Sequence, residues 1–134
     1  MAKCNKRHPV IVASAGRGKF RIIADARFIG DDILVSVWGG TKPHIGSVAV
    51  AQHRPSLQDP RRSSATSSII NYLGHKDDIV AKLFAEKIAS TMNRRCITTA
   101  GIHIDKTDDD DLSLILKNCD ALCSRMVTIL KRKK

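Results

Sequence analysis

Three histidines share one local pattern. His44 lies in GGTKPHIGSVAV (39–50), His75 in Gly74-His75-Lys76-Asp77-Asp78, and His103 in Gly101-Ile102-His103-Ile104-Asp105. Each has a glycine one or two residues away, and each falls at the apparent end of a strand or helix. A turn needs glycine and proline but no imidazole. An imidazole can hydrogen-bond, carry a proton near neutral pH or bind a metal. Glycine lets backbone approach a ligand closely, and functional side chains are mounted on connecting segments. The functional expectation is that two or all three histidines converge on one ligand pocket. The alternative is three unrelated turn histidines. A metal site on His44, His75 and His103 would have Asp77, Asp78 and Asp105 at hand, but no H-x-H or H-E-x-x-H spacing supports it.

A second set of residues suits an anion. Gly74-His75-Lys76 opens a helix, whose free N–H groups favour negative charge. Arg61-Arg62-Ser63-Ser64-Ala65-Thr66-Ser67-Ser68 offers guanidinium forks and hydroxyls, and arginine matches phosphate in bidentate geometry. Gly39-Gly40 adds backbone donors. Together these describe a phosphate-sized site near a histidine, set against the plainer reading of a solvated polar loop. Gly16-Arg17-Gly18-Lys19 lacks the full phosphate-loop motif and reads as a hairpin turn. Catalysis has little support. No serine stands in a nucleophile-elbow context, no carboxylate pair stands out, and Cys4 and Cys96 carry no signature. An enzyme would have to use His44 as acid or base.

The elements that must position these groups follow from periodicity. Residues 9–14 read as a short strand. Phe20 to Phe28 alternates, with Phe20, Ile22, Ala24, Ala26 and Phe28 on one face. Ile33 to Trp38 and Ile45 to Ala51 are further strands, so the first half reads as an antiparallel meander. Gln52 to Ser64 reads as a long polar loop, and 66–73 as a strand. From Lys76 the period becomes helical, with Ile79, Val80, Leu83, Phe84, Ile88 and Met92 in the stripe, closed by Asn93-Arg94-Arg95. Cys96 to Ile104 is a strand. Thr107 is an N-cap candidate for a last helix whose buried stripe includes Leu112, Ile115, Leu116, Cys119, Leu122, Cys123, Met126, Val127 and Leu130. The fold class is α+β, a mainly antiparallel sheet with two C-terminal helices on one face. The other face must be covered or solvated. A second subunit is the cheapest cover, so a homodimer is expected.

Composition bounds the rest. The 134 residues suit one domain, with basic flexible tails at about 1–8 and 131–134. The formal charge of +10 comes from 23 basic and 13 acidic residues. Seven of the basic residues stand at the termini, leaving about +3 for the body. With one Trp and one Tyr for stacking, nucleic-acid binding is not expected. No run is long enough to span a membrane, and no apolar segment follows the N-terminus as a signal peptide would require. Cys4, Cys96, Cys119 and Cys123 fit no zinc template and read as buried or free thiols of a cytoplasmic protein.

Several of these blocks together resemble a known family. They are Gly39 to Ala49, Arg54-Pro55-Ser56, Ser64 to Ser68, Gly74-His75-Lys76-Asp77 and Thr99-Ala100-Gly101-Ile102-His103. In this order they resemble the prenylated-flavin chaperones, the small D subunits of gallate decarboxylase. The likeness runs from about residue 17 to 128. It implies a non-catalytic protein that holds prenylated FMN and passes it to a UbiD-type decarboxylase, with a flavin prenyltransferase as a further partner. The implied cofactor-binding set is Gly39, Gly40, Pro43, His44, Gly46, Arg54, Ser64, Thr66, His75, Lys76 and His103. Aromatic residues are scarce for a flavin site. Trp38 is the best stacking candidate and Tyr72 the second.

Overall fold

The computed structural model describes residues 8–72 and 77–133. It is a six-stranded sheet with two helices on one face. The strands are β1 (Ile11–Ala15), β2 (Ile22–Ile29), β3 (Asp32–Gly40), β4 (Ser47–Pro55), β5 (Ser63–Asn71) and β6 (Cys96–His103); the helices are α1 (Asp78–Met92) and α2 (Asp109–Lys133). The α+β class and the mainly antiparallel sheet stand as the alternating pattern indicates.

The meander holds only for β1, β2 and β3. The sheet order is β1-β2-β3-β6-β4-β5, so β6 separates β3 from β4. β6 runs parallel to β3 and antiparallel to β4. Sequence neighbours pair by default, but here β3 and β4 each give one edge to a strand that arrives later. Residues 41–46 are therefore not a hairpin turn. They bridge over the end of β6 to reach the next strand but one.

The expected polar loop is also shorter than its composition suggests. β4 continues to Pro55 and β5 begins at Ser63, and these two residues pair. β6 leaves β4 at Ala51, so Pro55 sits where β4 has a neighbour on one side only, a position that tolerates the missing N–H.

One face of the sheet carries Ile22, Ala24 and Ala26, then Ile33, Val35 and Val37, then Ala49 and Ala51, then Cys96 and Ala100, all buried. Small residues on β2 and β4 let the helices lie close, and Phe84, Ile88, Leu122, Met126 and Leu130 fill the space between the layers. Asn93 ends α1 in the left-handed conformation, φ 52°, one of the few non-glycine types that accept it. Asp108, not Thr107, caps α2. Its carboxylate accepts from the Asp111 N–H at 2.8 Å while Asp111 reaches back to the Asp108 N–H, a reciprocal capping box. Lys131, Arg132 and Lys133 complete the last turn of α2, where positive charge favours the helix dipole.

Candidate functional site

The segment 41–46 crosses β6 at Gly101. A Cβ on Gly101 would overlap the His44 carbonyl oxygen, and one on Gly40, at φ +82°, would overlap the His103 carbonyl. A Cβ on Gly39 would lie 2.6 Å from the Arg21 carbonyl oxygen. These glycines admit the protein's own backbone rather than a ligand's. The crossing is pinned at both ends. Thr41 and Lys42 donate N–H groups to the His103 carbonyl at 2.8 and 3.2 Å, and Gly46 donates to the Ala100 carbonyl at 2.9 Å.

His44 hangs from this ridge with its ring fixed. Nδ1 lies 3.1 Å from the Lys42 carbonyl oxygen and Nε2 lies 3.1 Å from Asp77 Oδ2. Both of these partner atoms are oxygens that accept hydrogen bonds. Asp77 occupies the N-cap position of α1 but makes no side-chain cap. Its other oxygen accepts the Ile102 N–H at 2.9 Å. The carboxylate is 7 % exposed as a residue, and it ties three elements together: the ridge, the end of β6 and the start of α1. Among the described residues no buried side-chain nitrogen or oxygen lacks a partner.

His103 stands beside His44, with ring centroids 6.5 Å apart and the rings edge to face. Its Nε2 donates to Asp105 Oδ1 at 2.9 Å, and Lys42 Nζ lies 3.5 Å from the same oxygen. The His103 bond, and then the Lys42 charge, hold the Asp105 carboxyl below its ordinary range. Among the described residues, Nδ1 of His103 has no hydrogen-bond partner.

The two histidines and Asp77 form the polar end of a cleft of about 540 Å³ between the start of α1, the end of β6 and the start of α2. Apart from Thr107, its other walls are apolar, among them Ile79, Ile102, Ile104, Leu112 and Leu116. Ile79 is 60 % exposed, and Leu112 and Leu116 are almost half exposed. Helical periodicity assigns all three to the core. They line the open cleft instead, near the starts of the two helices and beside Ile102 of β6.

The remaining candidates fall elsewhere. Arg54, Ser64 and Thr66 lie at the far end of the β4–β5 hairpin, Arg54 seven positions beyond Ser47, roughly 23 Å at the rise of a strand. There Arg54 Nε donates to Thr66 Oγ1 at 2.6 Å and Arg61 pairs with Asp59. These residues do not join His44 and His103 in one anion site, because strand pairing carries them away. Pro43 lies on the outer side of the ridge and Gly46 at its base. Trp38 and Pro43, with Asp25, Ser36, Ile45, Thr99 and His44 itself, line a second hollow of about 350 Å³ on the open face of the sheet. Trp38 is thus across the ridge from the cleft. Tyr72 is exposed and donates its N–H to the Gly46 carbonyl at 2.9 Å. His75 and Lys76 lie outside the described residues. Among the described residues no three His, Cys, Asp or Glu side chains converge as metal ligands.

The three described cysteines, Cys96, Cys119 and Cys123, are free and buried. Burial pushes each thiol up to about 12, which keeps them protonated and unreactive. No described helix is long and apolar enough to cross a membrane.

The fold has a counterpart among solved structures. A chain of a yeast chaperone complex for 20S proteasome assembly superposes with a TM-score of 0.56 over 92 % of this chain and 96 % of its own, at 19 % identity; the likeness is one of fold. Protein LpdD of Lactiplantibacillus plantarum is 26 % identical over 112 residues, 84 % of this chain and 79 % of that protein. Residues 16–131 match the model of the prenylated flavin chaperone LpdD-like domain, a span that holds the ridge, the cleft and both helices, and the chain belongs to that family of chaperone domains.

Proposed function

We propose that this chain is a non-catalytic carrier of prenylated FMN that hands the cofactor to a UbiD-type decarboxylase, the cofactor being supplied by a flavin prenyltransferase. The observation that carries this reading is the cleft, a half-apolar slot with two histidines and a buried carboxylate at one end, in a chain of the prenylated-flavin chaperone family. A volume of about 540 Å³ suits a ligand with a flat polycyclic ring, since small-molecule sites run from roughly 300 to 1,000 Å³.

The residues present fit the ring better than the phosphate. Ile79, Leu112 and Leu116 would cover its faces, and burying them would remove apolar surface from water. His103 Nδ1 would accept from a ring N–H. Phosphate is disfavoured beside the start of α2, where Asp108, Asp109, Asp110 and Asp111 cluster. It would lie toward Lys42, at the mouth. His44 would act as a fixed wall. Both ring nitrogens are directed at the protein's own oxygens, which favours holding over catalysis. When bound, the group itself would supply the decarboxylase's chemistry, and the chaperone would supply shelter from water. The homodimer expected from the sequence would use a different surface, the open face of the sheet.

The test is an anaerobic absorbance and native mass spectrum of the protein co-expressed with a flavin prenyltransferase. One prenylated FMN mass per chain with a flavin-like spectrum is expected. A colourless protein of bare polypeptide mass would overturn the reading and leave a pure interaction protein. His44→Ala should keep the fold and weaken flavin binding about tenfold, a loss of about 1.4 kcal/mol.

A further inference from the structure

Both helices lie on one face of the sheet, and no described element covers the other. Two adjacent rows run across the middle of this open face. One is Val12, Asp25, Ser36, Thr99, Val48 and Ile70, and the next is Arg27, Leu34, Ile97, Val50 and Ser68. Val12 is 63 % exposed, Ile70 73 %, Val50 49 % and Ile97 42 %. A soluble monomer seldom shows so broad an apolar band.

We infer that a second copy of this chain covers the face, forming a two-layer sandwich with the helices outside. Two observations point to a copy rather than another protein. The first is charge. Asp25 is half-buried, and neither it nor Arg27, two positions along β2, makes an ion pair among the described residues. A two-fold axis lying across the strands, between the two rows, sets each row over the other row of the second copy. Asp25 of one copy then meets Arg27 of the other, twice. The face carries both halves of its own pair, as an isologous interface requires.

The second observation is area. Six strands at about 4.8 Å spacing and eight residues at about 3.3 Å rise give a face of roughly 750 Å². A standard stable interface buries about 800 Å² per partner. The large net charge does not oppose the contact. Lys131, Arg132 and Lys133 end α2, on the other layer, and repulsion beyond about 8 Å is screened at physiological salt. The second copy would also press on Pro43 and Ile45, at the rim of the face. It would brace the ridge from the side opposite the cleft.

The test is the mass of the full-length protein in solution by light scattering at tens of micromolar. Twice the chain mass is expected. Ile97→Glu, at the centre of the face, should give a monomer with an unchanged circular dichroism spectrum, and Val50→Glu serves should that variant misfold. Asp25→Arg should raise the dimer Kd at least tenfold, and adding Arg27→Asp should restore it. A wild-type monomer, a dimer indifferent to Ile97→Glu and Val50→Glu, or a charge swap that fails to restore would each overturn the inference. None of these readouts depends on flavin, so they stand or fall apart from the carrier function.

Discussion

The two ends of the β4 strand look alike in sequence and differ in structure. Both carry glycine, proline, histidine or arginine next to polar residues. At the far end Arg54 is bound to Thr66, Arg61 and Arg62 face Asp59, Arg94 faces Asp31 and Arg95 faces Asp32. Arg61, Arg62, Arg94 and Arg95 are answered by carboxylates of the protein, and Arg54 is held by neutral oxygens. At the ridge end a single carboxylate is buried and holds three elements, and beside it apolar side chains remain uncovered. A residue type suited to a ligand marks a site only where the fold has not already used it.

Substitutions at four positions sharpen that contrast, in descending order of effect. Asp77→Ala should cost about 3 kcal/mol in urea unfolding, because it removes the buried acceptor shared by the Ile102 N–H and His44 Nε2; Asp77→Asn should lose less. Gly101→Ala should cost about 2 kcal/mol, since its Cβ must displace the backbone of the ridge, and ligand affinity should fall with it. Arg54→Ala and Arg61→Ala should each cost under about 0.5 kcal/mol, as exposed pairs do, and leave flavin binding unchanged in the same titration. An effect of either arginine on affinity would break the comparison.

Asp105→Asn should have the smallest effect on stability. It acts on the ring orientation of His103, readable by NMR. The Asp105 carboxyl is held below its ordinary value of 3.8 by His103 and Lys42. A depressed carboxylate stabilises the fold above its unfolded pKa and loses that contribution as pH falls through the folded one. The His103 ring should therefore stay fixed through pH 5 and loosen only below the ordinary carboxylate range.

Much of the layer structure was legible in the sequence. The alternation in β2 and the helical stripes of α1 and α2 depend on local burial, which periodicity reports directly. Convergence of His44 and His103 was also legible, through their shared placement at element ends. The position of β6 was not. Nothing local in Cys96–His103 says which strands it will separate, and that depends on the edges left by strands dozens of residues earlier. Arg54 and Ser64 escape for the same reason: the composition of 52–64 reads as a loop free to fold back, and Thr66 as the first residue of the strand after it, whereas β4–β5 pairing extends through all three. Asp77 was visible only as an acid in a first turn. That it forgoes capping to hold His44 and Ile102 is a tertiary fact. Ile79, Leu112 and Leu116 fit their stripes, and only the packing of the two helices reveals that they line an open cleft instead of the core.

The strand made last occupies the middle. Until residues 96–103 have been synthesised, the β1–β3 part and the β4–β5 hairpin have no shared hydrogen bonds between strands, only a connecting segment with nothing beneath it. Non-local pairing of this kind slows folding and leaves two strand edges open on the nascent chain. The ridge can settle only when Gly101 slides under it, so the cleft forms in the same event that closes the sheet. A fragment ending before β6 would have neither, and it would be a substrate for proteases and aggregation rather than a weak binder. The cleft is complete only in a finished chain.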